Sequence, residues 1–263
     1  MAGAITGTHI KCRWVNGMQE FYDAATFETV HVNAPFYFTD DFVGHAGLEV
    51  GDIAETWEIL AVGTGATTTP HIIAGTGADA ATGVVEIMVD DGNNEAQDSG
   101  IYWGDQTAVS VYNDTVFECR LAMHVIPEAN TTAVFGMCGH HNLDKDTVAE
   151  SAWFRLQGSA ALLVESDDTT GAHENDAVAT GITLVEDEYH IFRIDFGNLS
   201  DVRFYVDGTR VAGATTFDMS DLTATEAMFQ PYFMLDHAAV AENGSLYIDK
   251  CSIWGARSTR VLI

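Results

Sequence analysis

From Tyr189 to Phe196 the chain alternates between two sets of residues. His190, Phe192, Ile194 and Phe196 fall on one face, and Tyr189, Ile191, Arg193 and Asp195 on the other. Asp201 to Asp207 repeats the pattern, with Val202, Phe204 and Val206 opposite Arg203, Tyr205 and Asp207. A period of two marks half-buried strands. The short linker Gly197-Asn198-Leu199-Ser200 predicts antiparallel pairing of the two runs. Asp207-Gly208 then supplies the positive φ values of a tight hairpin leading to a third strand.

Similar segments recur along the chain. Strands are predicted at Ile10–Val15, Phe36–Phe42, Thr56–Val62, His71–Ala74, Gly83–Val89 and Ser99–Tyr112. Val116–Val125 and Ala133–Cys138 are expected to pair across Pro127-Glu128-Ala129-Asn130. Ser151–Leu156 and Ala160–Glu165 should form a hairpin. Ser220–Glu226 reads as one helical turn, and Gln230–Leu235 and Ser245–Trp254 as the last strands. Glu20 to Val32 holds Phe21, Tyr22, Phe27, Val30 and Val32 without a clear period, so residues 1–34 read as an N-terminal arm. Either the arm folds back over its own sheet or a neighbouring molecule buries its aromatics. Residues 35–263 read as one β-sandwich with a short C-terminal tail.

The segment Y-H-x-x-R-I-D-F followed by V-x-F-Y-V-D-G (Tyr189–Phe196, Val202–Gly208) resembles the central hairpin of concanavalin A-like, laminin-G-like jelly rolls. Phe38–Gly44, Val116–Leu121 and Ser245–Trp254 resemble other strands of that family, so the likeness spans roughly residues 35–256. It implies an all-β antiparallel jelly-roll β-sandwich. The fold serves lectins, glucanases, adhesion modules and bacteriophage virion proteins, so the activity has to be argued from a site.

Charge narrows the partners. The 263-residue chain has 39 acidic and 11 basic residues, a formal net charge of −28. No Lys or Arg occurs between Trp14 and Cys119. Such a surface repels nucleic acid and anionic membranes, and no apolar run reaches the length of a membrane span. The sequence start, Met1 to Gly7, lacks the basic and apolar regions of a signal peptide. The four cysteines have no metal-type spacing and read as reduced thiols, with Cys12–Cys251 as the bridge to test.

Candidate chemistry is sparse. Glucanases of this fold carry E-x-D-x-x-E on one strand; neither Glu86–Asp90 nor Glu186-Asp187-Glu188 matches it. No G-x-S-x-G nucleophile motif or phosphate loop is present, so no catalysis is expected. Calcium is the one cofactor the acidic turns could hold, at Asp90, Asp91, Asn93 and Asn94, at Asp167-Asp168 with Glu174, Asn175 and Asp176, or at Asp195, Asn198 and Asp201. His140-His141 sit adjacent, which on a strand points them to opposite faces. For a glycan, Trp103 and Tyr205 are the candidate platforms, with Trp57, Tyr102 and Trp153 as further aromatics.

The arm, the acidic Gly/Ala/Thr-rich composition and the hairpin motif together resemble bacteriophage virion proteins. That resemblance implies a capsid decoration or cement protein in the virion, oligomeric and bound to a major capsid protein. Lys11, Arg13, Trp14, Phe21, Tyr22, Arg257 and Arg260 would be its assembly contacts. The alternative is a carbohydrate-binding, lectin-like module, and a glycoside hydrolase comes last.

Overall fold

A computed structural model of the protein describes residues 9–42, 56–63, 69–74, 83–90, 95–238 and 242–257. Its strands, in chain order, are β1 (Ile10–Val15), β2 (Met18–Asp23), β3 (Thr29–Asn33), β4 (Phe36–Asp40), β5 (Glu58–Val62), β6 (His71–Ala74), β7 (Gly83–Val89), β8 (Gln97–Tyr102), β9 (Val109–Ser110), β10 (Val116–Val125), β11 (Thr131–Cys138), β12 (Glu150–Gln157), β13 (Ala161–Asp168), β14 (Asn175–Thr183), β15 (His190–Asp195), β16 (Arg203–Val206), β17 (Thr209–Val211), β18 (Met228–His237) and β19 (Gly244–Gly255). Two eight-stranded antiparallel sheets form the sandwich. The first runs β17-β16-β15-β10-β19-β7-β6, with β4 following β7 along the same edge of β19. The second runs β14-β13-β12-β11-β18-β8-β5, with β9 beside the start of β18. This is the expected all-β jelly-roll architecture.

Alternation builds the core. On β10, Phe117, Cys119, Leu121 and Met123 face inward and are buried. Rings from the two sheets interlock across the interior, Phe135 with Phe192 at 4.8 Å and Phe154 with Phe204 at 5.4 Å between centroids. Edge-to-face pairs of this kind add about 0.5–1.5 kcal/mol each beyond the area they bury. Gly136 lets β11 and β12 approach beneath Trp153, since a Cβ there would lie 2.5 Å from the Ala152 carbonyl oxygen.

The central hairpin forms as the pattern predicts, β15 pairing antiparallel with β16 from Phe192↔Val206 to Asp195↔Arg203. Asp207 and Gly208 take φ of 47° and 72° at the following turn. Four expectations change. β10 and β11 do not pair: the chain crosses from one sheet to the other at Pro127–Asn130, and β11 lies between β12 and β18. β14 is an additional edge strand. Residues 220–226 form turns, with Ala227 N–H bonded to the Thr223 carbonyl, and no helix. His190, which shares the apolar face of Phe192 and Ile194 and so reads as a core histidine, is instead half-buried at the start of β15, with Nδ1 2.7 Å from Asp207 Oδ2.

Residues 10–33 form a third, three-stranded sheet, β1-β2-β3, which folds back over the outer face of the first sheet. Its inward side carries charge as well as apolar groups. The Glu20 carboxylate, fully buried, accepts two bonds from Arg193 (Nη2 to Oε1 2.8 Å, Nη1 to Oε2 2.9 Å), one from Arg13 Nε at 2.7 Å and one from Trp254 Nε1 at 3.1 Å. Glu118 accepts from the backbone N–H and hydroxyl of Thr29, both at 2.8 Å. Lys250 Nζ donates to Glu28 and to the Thr29 carbonyl, each at 2.8 Å. Met18, Val32, Val116 and Trp254 close an apolar cluster beside these bonds. The outer face of β15 is therefore buried despite its polarity, Arg193 and Asp195 each being 6% exposed.

Candidate functional site

The docked side of the small sheet dictates what its other side displays. Met18 and Glu20 point toward the sandwich, so Gln19 and Phe21 point away. Cross-strand register sets two rows on that outward face. One is Trp14, Gln19 and Asn33; the other is Cys12, Phe21 and His31. Trp14 is 70% exposed, more than any other large apolar side chain among the described residues. Phe21 lies 6.1 Å from His31 between ring centroids, and His31 lies 6.3 Å from Tyr37. Gln19 Nε2 contacts Cys12 Sγ at 3.2 Å. The result is a surface with a bare indole, the Phe21 and His31 rings, and two primary amides. Each amide offers a paired donor and acceptor. The buried salt bridges underneath hold its position.

A second surface lies on the outer face of the second sheet. A depression of about 280 Å³ is lined by Lys145, Arg155, Gln157, Glu165, Asp167 and Asp176, among others. Arg155 Nη1 donates to Asp146 at 2.7 Å and to Glu165 at 2.9 Å. Burial raises the Glu165 carboxyl against the pull of Arg155, whereas Arg155 and Lys145 hold Asp146 below the usual range despite partial burial. Burial also raises Asp167, with neighbouring carboxylates adding to it. Nearby, Asp98 and Asp236 stand opposite each other on β8 and β18, with Lys145 Nζ 3.0 Å from Asp236. Burial, then the Asp236 charge, pushes Asp98 up to about 6. The cations of this depression are engaged by carboxylates, Arg155 by Asp146 and Glu165 of the lining and Lys145 by the neighbouring Asp236, and no aromatic ring lines it. Two E-x-D pairs, Glu165/Asp167 and Glu174/Asp176, face it from β13 and the start of β14. Same-face spacing of i and i+2 was the sequence signal for them, and neither continues to a third glutamate.

The sequence-predicted residues disperse. Trp103 is not a platform: it packs against Phe38 at 5.0 Å and Trp57 at 6.2 Å, with Nε1 buried. Trp57, Tyr102 and Trp153 are buried too. Tyr205 is half-buried on the outer face of β16, beside a small cleft of about 110 Å³ shared with Arg13, Phe27 and Arg193. Asp195, Asn198 and Asp201 do not converge. Asp195 accepts from Asn16 and from the Gly197 N–H, Asn198 accepts from the Ser200 N–H of its own turn, and both Asp201 oxygens accept from Arg210 Nη2, at 2.9 and 3.0 Å. Asp90 is bonded to Gln97; Asp91, Asn93 and Asn94 lie outside the described residues. His141 and His140 both turn to Asp105, at 2.8 and 3.8 Å.

Of the expected assembly contacts, Arg13 and Tyr22 face the sandwich side, with the guanidinium 4.5 Å over the Tyr22 ring. Lys11, Trp14 and Arg257 are exposed, Phe21 is half-buried, and Arg260 lies outside the described residues. Cys12 is exposed on β1, whereas Cys251 is buried opposite Cys119 on β10, so the Cys12–Cys251 bridge is excluded and both are free thiols.

No protein-family model matches the sequence, and no curated protein matches it significantly. Solved structures do resemble the fold. An endo-acting O-glycanase of the human gut microbiota, described as initiating mucin breakdown, superposes with a TM-score of 0.56 at 12% identity, over 84% of this chain and 99% of that one. A β-1,3-glucanase from Mycobacterium marinum gives 0.52 at 13% identity, over 84% and 100%. A protein of unknown function from Shewanella oneidensis MR-1 gives 0.55 at 14% identity, over 87% and 90%. The chain thus shares the two-sheet antiparallel jelly-roll β-sandwich fold of these structures. Identities this low establish the fold alone.

Proposed function

We propose that the protein is a carbohydrate-binding module whose glycan lies on the outward face of the small sheet. The observation that carries this reading is Trp14, 70% exposed and in one row with Gln19 and Asn33. A pyranose ring presents an apolar C–H face and an equatorial fringe of hydroxyls. An exposed indole takes the first, and adjacent amides pair with vicinal hydroxyls of the second. Phe21 and His31 extend the surface for further sugar units. The shared architecture with an O-glycanase and a β-1,3-glucanase supports a glycan as the ligand class. Binding without cleavage fits the sequence, which lacks E-x-D-x-x-E.

The second reading is the virion decoration role, with a protein covering the same face. It is favoured by the position of Ile10, Trp14, Phe27 and Val30, four of the eight exposed large apolar side chains among the described residues, all in or beside the small sheet. A panel of immobilised polysaccharides and mucin-type glycans separates the two. Binding that is lost in Trp14→Ala supports the module. Absence of any glycan binding, together with Trp14-dependent self-association or capsid attachment, supports the decoration protein.

A further inference from the structure

At one end of the sandwich, side chains far apart in sequence converge. Asp168 closes β13, His173 follows in the turn leading to β14, and Asp221 comes from the loop before β18. One oxygen of each carboxylate and one imidazole nitrogen all lie within 4.8 Å of one another. His173 Nδ1 is 3.0 Å from Asp168 Oδ2 and 3.7 Å from Asp221 Oδ2. The Asp168 side chain is fully buried, and its other oxygen accepts the Thr170 N–H at 3.1 Å.

Charge is the second observation. Among the described residues, no Lys or Arg forms an ion pair with Asp168 or Asp221, and both carboxylates turn to the one imidazole. Even a charged imidazole would offset only one of the two carboxylates of the cluster. A buried carboxylate is ordinarily paired with a cation or a metal. Elsewhere in this protein that rule is met by arginine or lysine: Glu20 by Arg193, Glu165 by Arg155, Asp236 by Lys145.

We propose that Asp168, His173 and Asp221 form a binding site for a first-row divalent cation. Imidazole Nδ1 and one oxygen from each carboxylate are the ligands, a mixed nitrogen–oxygen set suited to manganese, iron or zinc more than to an all-oxygen calcium site. The ion would tie the turn at 169–174 to the loop at 218–226. This site is independent of the glycan face.

The test is a Mn(II) titration of the full chain followed by electron paramagnetic resonance, in which bound ion disappears from the free-ion signal. Zn(II) competition and thermal shift run alongside. Because the chain carries a net charge of −28, weak cation binding over its surface is expected as background. The expected result is one saturable site, displaced by Zn(II), with affinity reduced about 10–100-fold in His173→Ala and in Asp221→Asn but unchanged in the surface control Asp187→Asn. His173 and Asp221 side chains are 25% and 56% exposed, so both variants should fold, which circular dichroism verifies. Equal Mn(II) binding by all four proteins, or no saturable site, overturns the proposal.

Discussion

Arg193→Met probes the way the small sheet is fastened to the sandwich. The Arg193 side chain is buried, and its guanidinium neutralises two buried carboxylates, Glu20 by two direct bonds and Glu118 from 4.0 Å. Methionine keeps much of the volume but, among the described residues, leaves Glu20 with Arg13 as its paired cation and Glu118 with only Lys250, which is already bonded to Glu28. Removing one partner of a buried pair costs about 3–5 kcal/mol. For a chain of this size that is a fall in Tm of roughly 6–20 °C. The effect should depend on pH. Arg193 and Arg13 outweigh burial and hold the Glu20 carboxyl below its usual value, so its stabilising charge is present above about pH 4.5 and lost as pH falls through the lowered value. Burial raises Glu118, with the opposite sign: its ionisation opposes folding as pH rises through its raised value. Without Arg193 both carboxylates prefer to be neutral, so the variant's deficit should be largest at pH 7 and shrink toward pH 4. Urea denaturation of both proteins at several pH values reads this directly. A deficit below about 1 kcal/mol at pH 7, or one independent of pH, refutes the claim that this network fastens the sheet.

Asp98→Asn should stabilise the protein at pH 8. The wild-type carboxyl, raised to about 6, favours folding while protonated, and that contribution is lost as pH rises through 6. The half-exposed site limits the gain to about 1 kcal/mol after solvent screening, vanishing below pH 4; a gain at acid pH, in Tm measured from pH 4 to 8, would contradict the assignment. A thiol reagent should modify one cysteine of the native protein, Cys12, and four after denaturation, since Cys119, Cys138 and Cys251 are buried and burial raises their thiols. Fewer than four in the unfolded protein would reveal a disulfide.

The sandwich was legible wherever one face of a strand is apolar. β7 and β10 have the bounds that alternation predicts, and β15 and β16 pair as their turn demands. β2 and β3 were not legible because their buried face carries Glu20 and Thr29. Hydropathy treats these as exposed, and a register shift between Phe21 and Tyr22 breaks the period. β14 is an edge strand with mostly exposed side chains, so it lacks an apolar face to read. Short loops suggested a β10–β11 hairpin, but both strands contribute apolar faces to opposite walls of one core, which requires the chain to change sheets.

The candidate site was legible only as a list of aromatics. Which of them lie bare depends on docking of the small sheet. Trp103 and Trp153 have the same sequence appearance as Trp14 but are covered. The Asp168–His173–Asp221 group spans over 50 residues of sequence, and only the fold brings it together.

The central claim rests on Trp14, and the most direct measurement is glycan binding by the wild-type protein and Trp14→Ala side by side, by calorimetry on ligands selected from a polysaccharide and mucin-glycan panel. An exposed side chain contributes little to stability, so the variant should keep the wild-type Tm within about 1 °C. Loss of one stacked ring should weaken binding by about 1–2 kcal/mol, roughly 5–30-fold in Kd. Unchanged affinity in the variant would place the glycan elsewhere, and a wild-type protein that binds no glycan in the panel would contradict the carbohydrate-binding account.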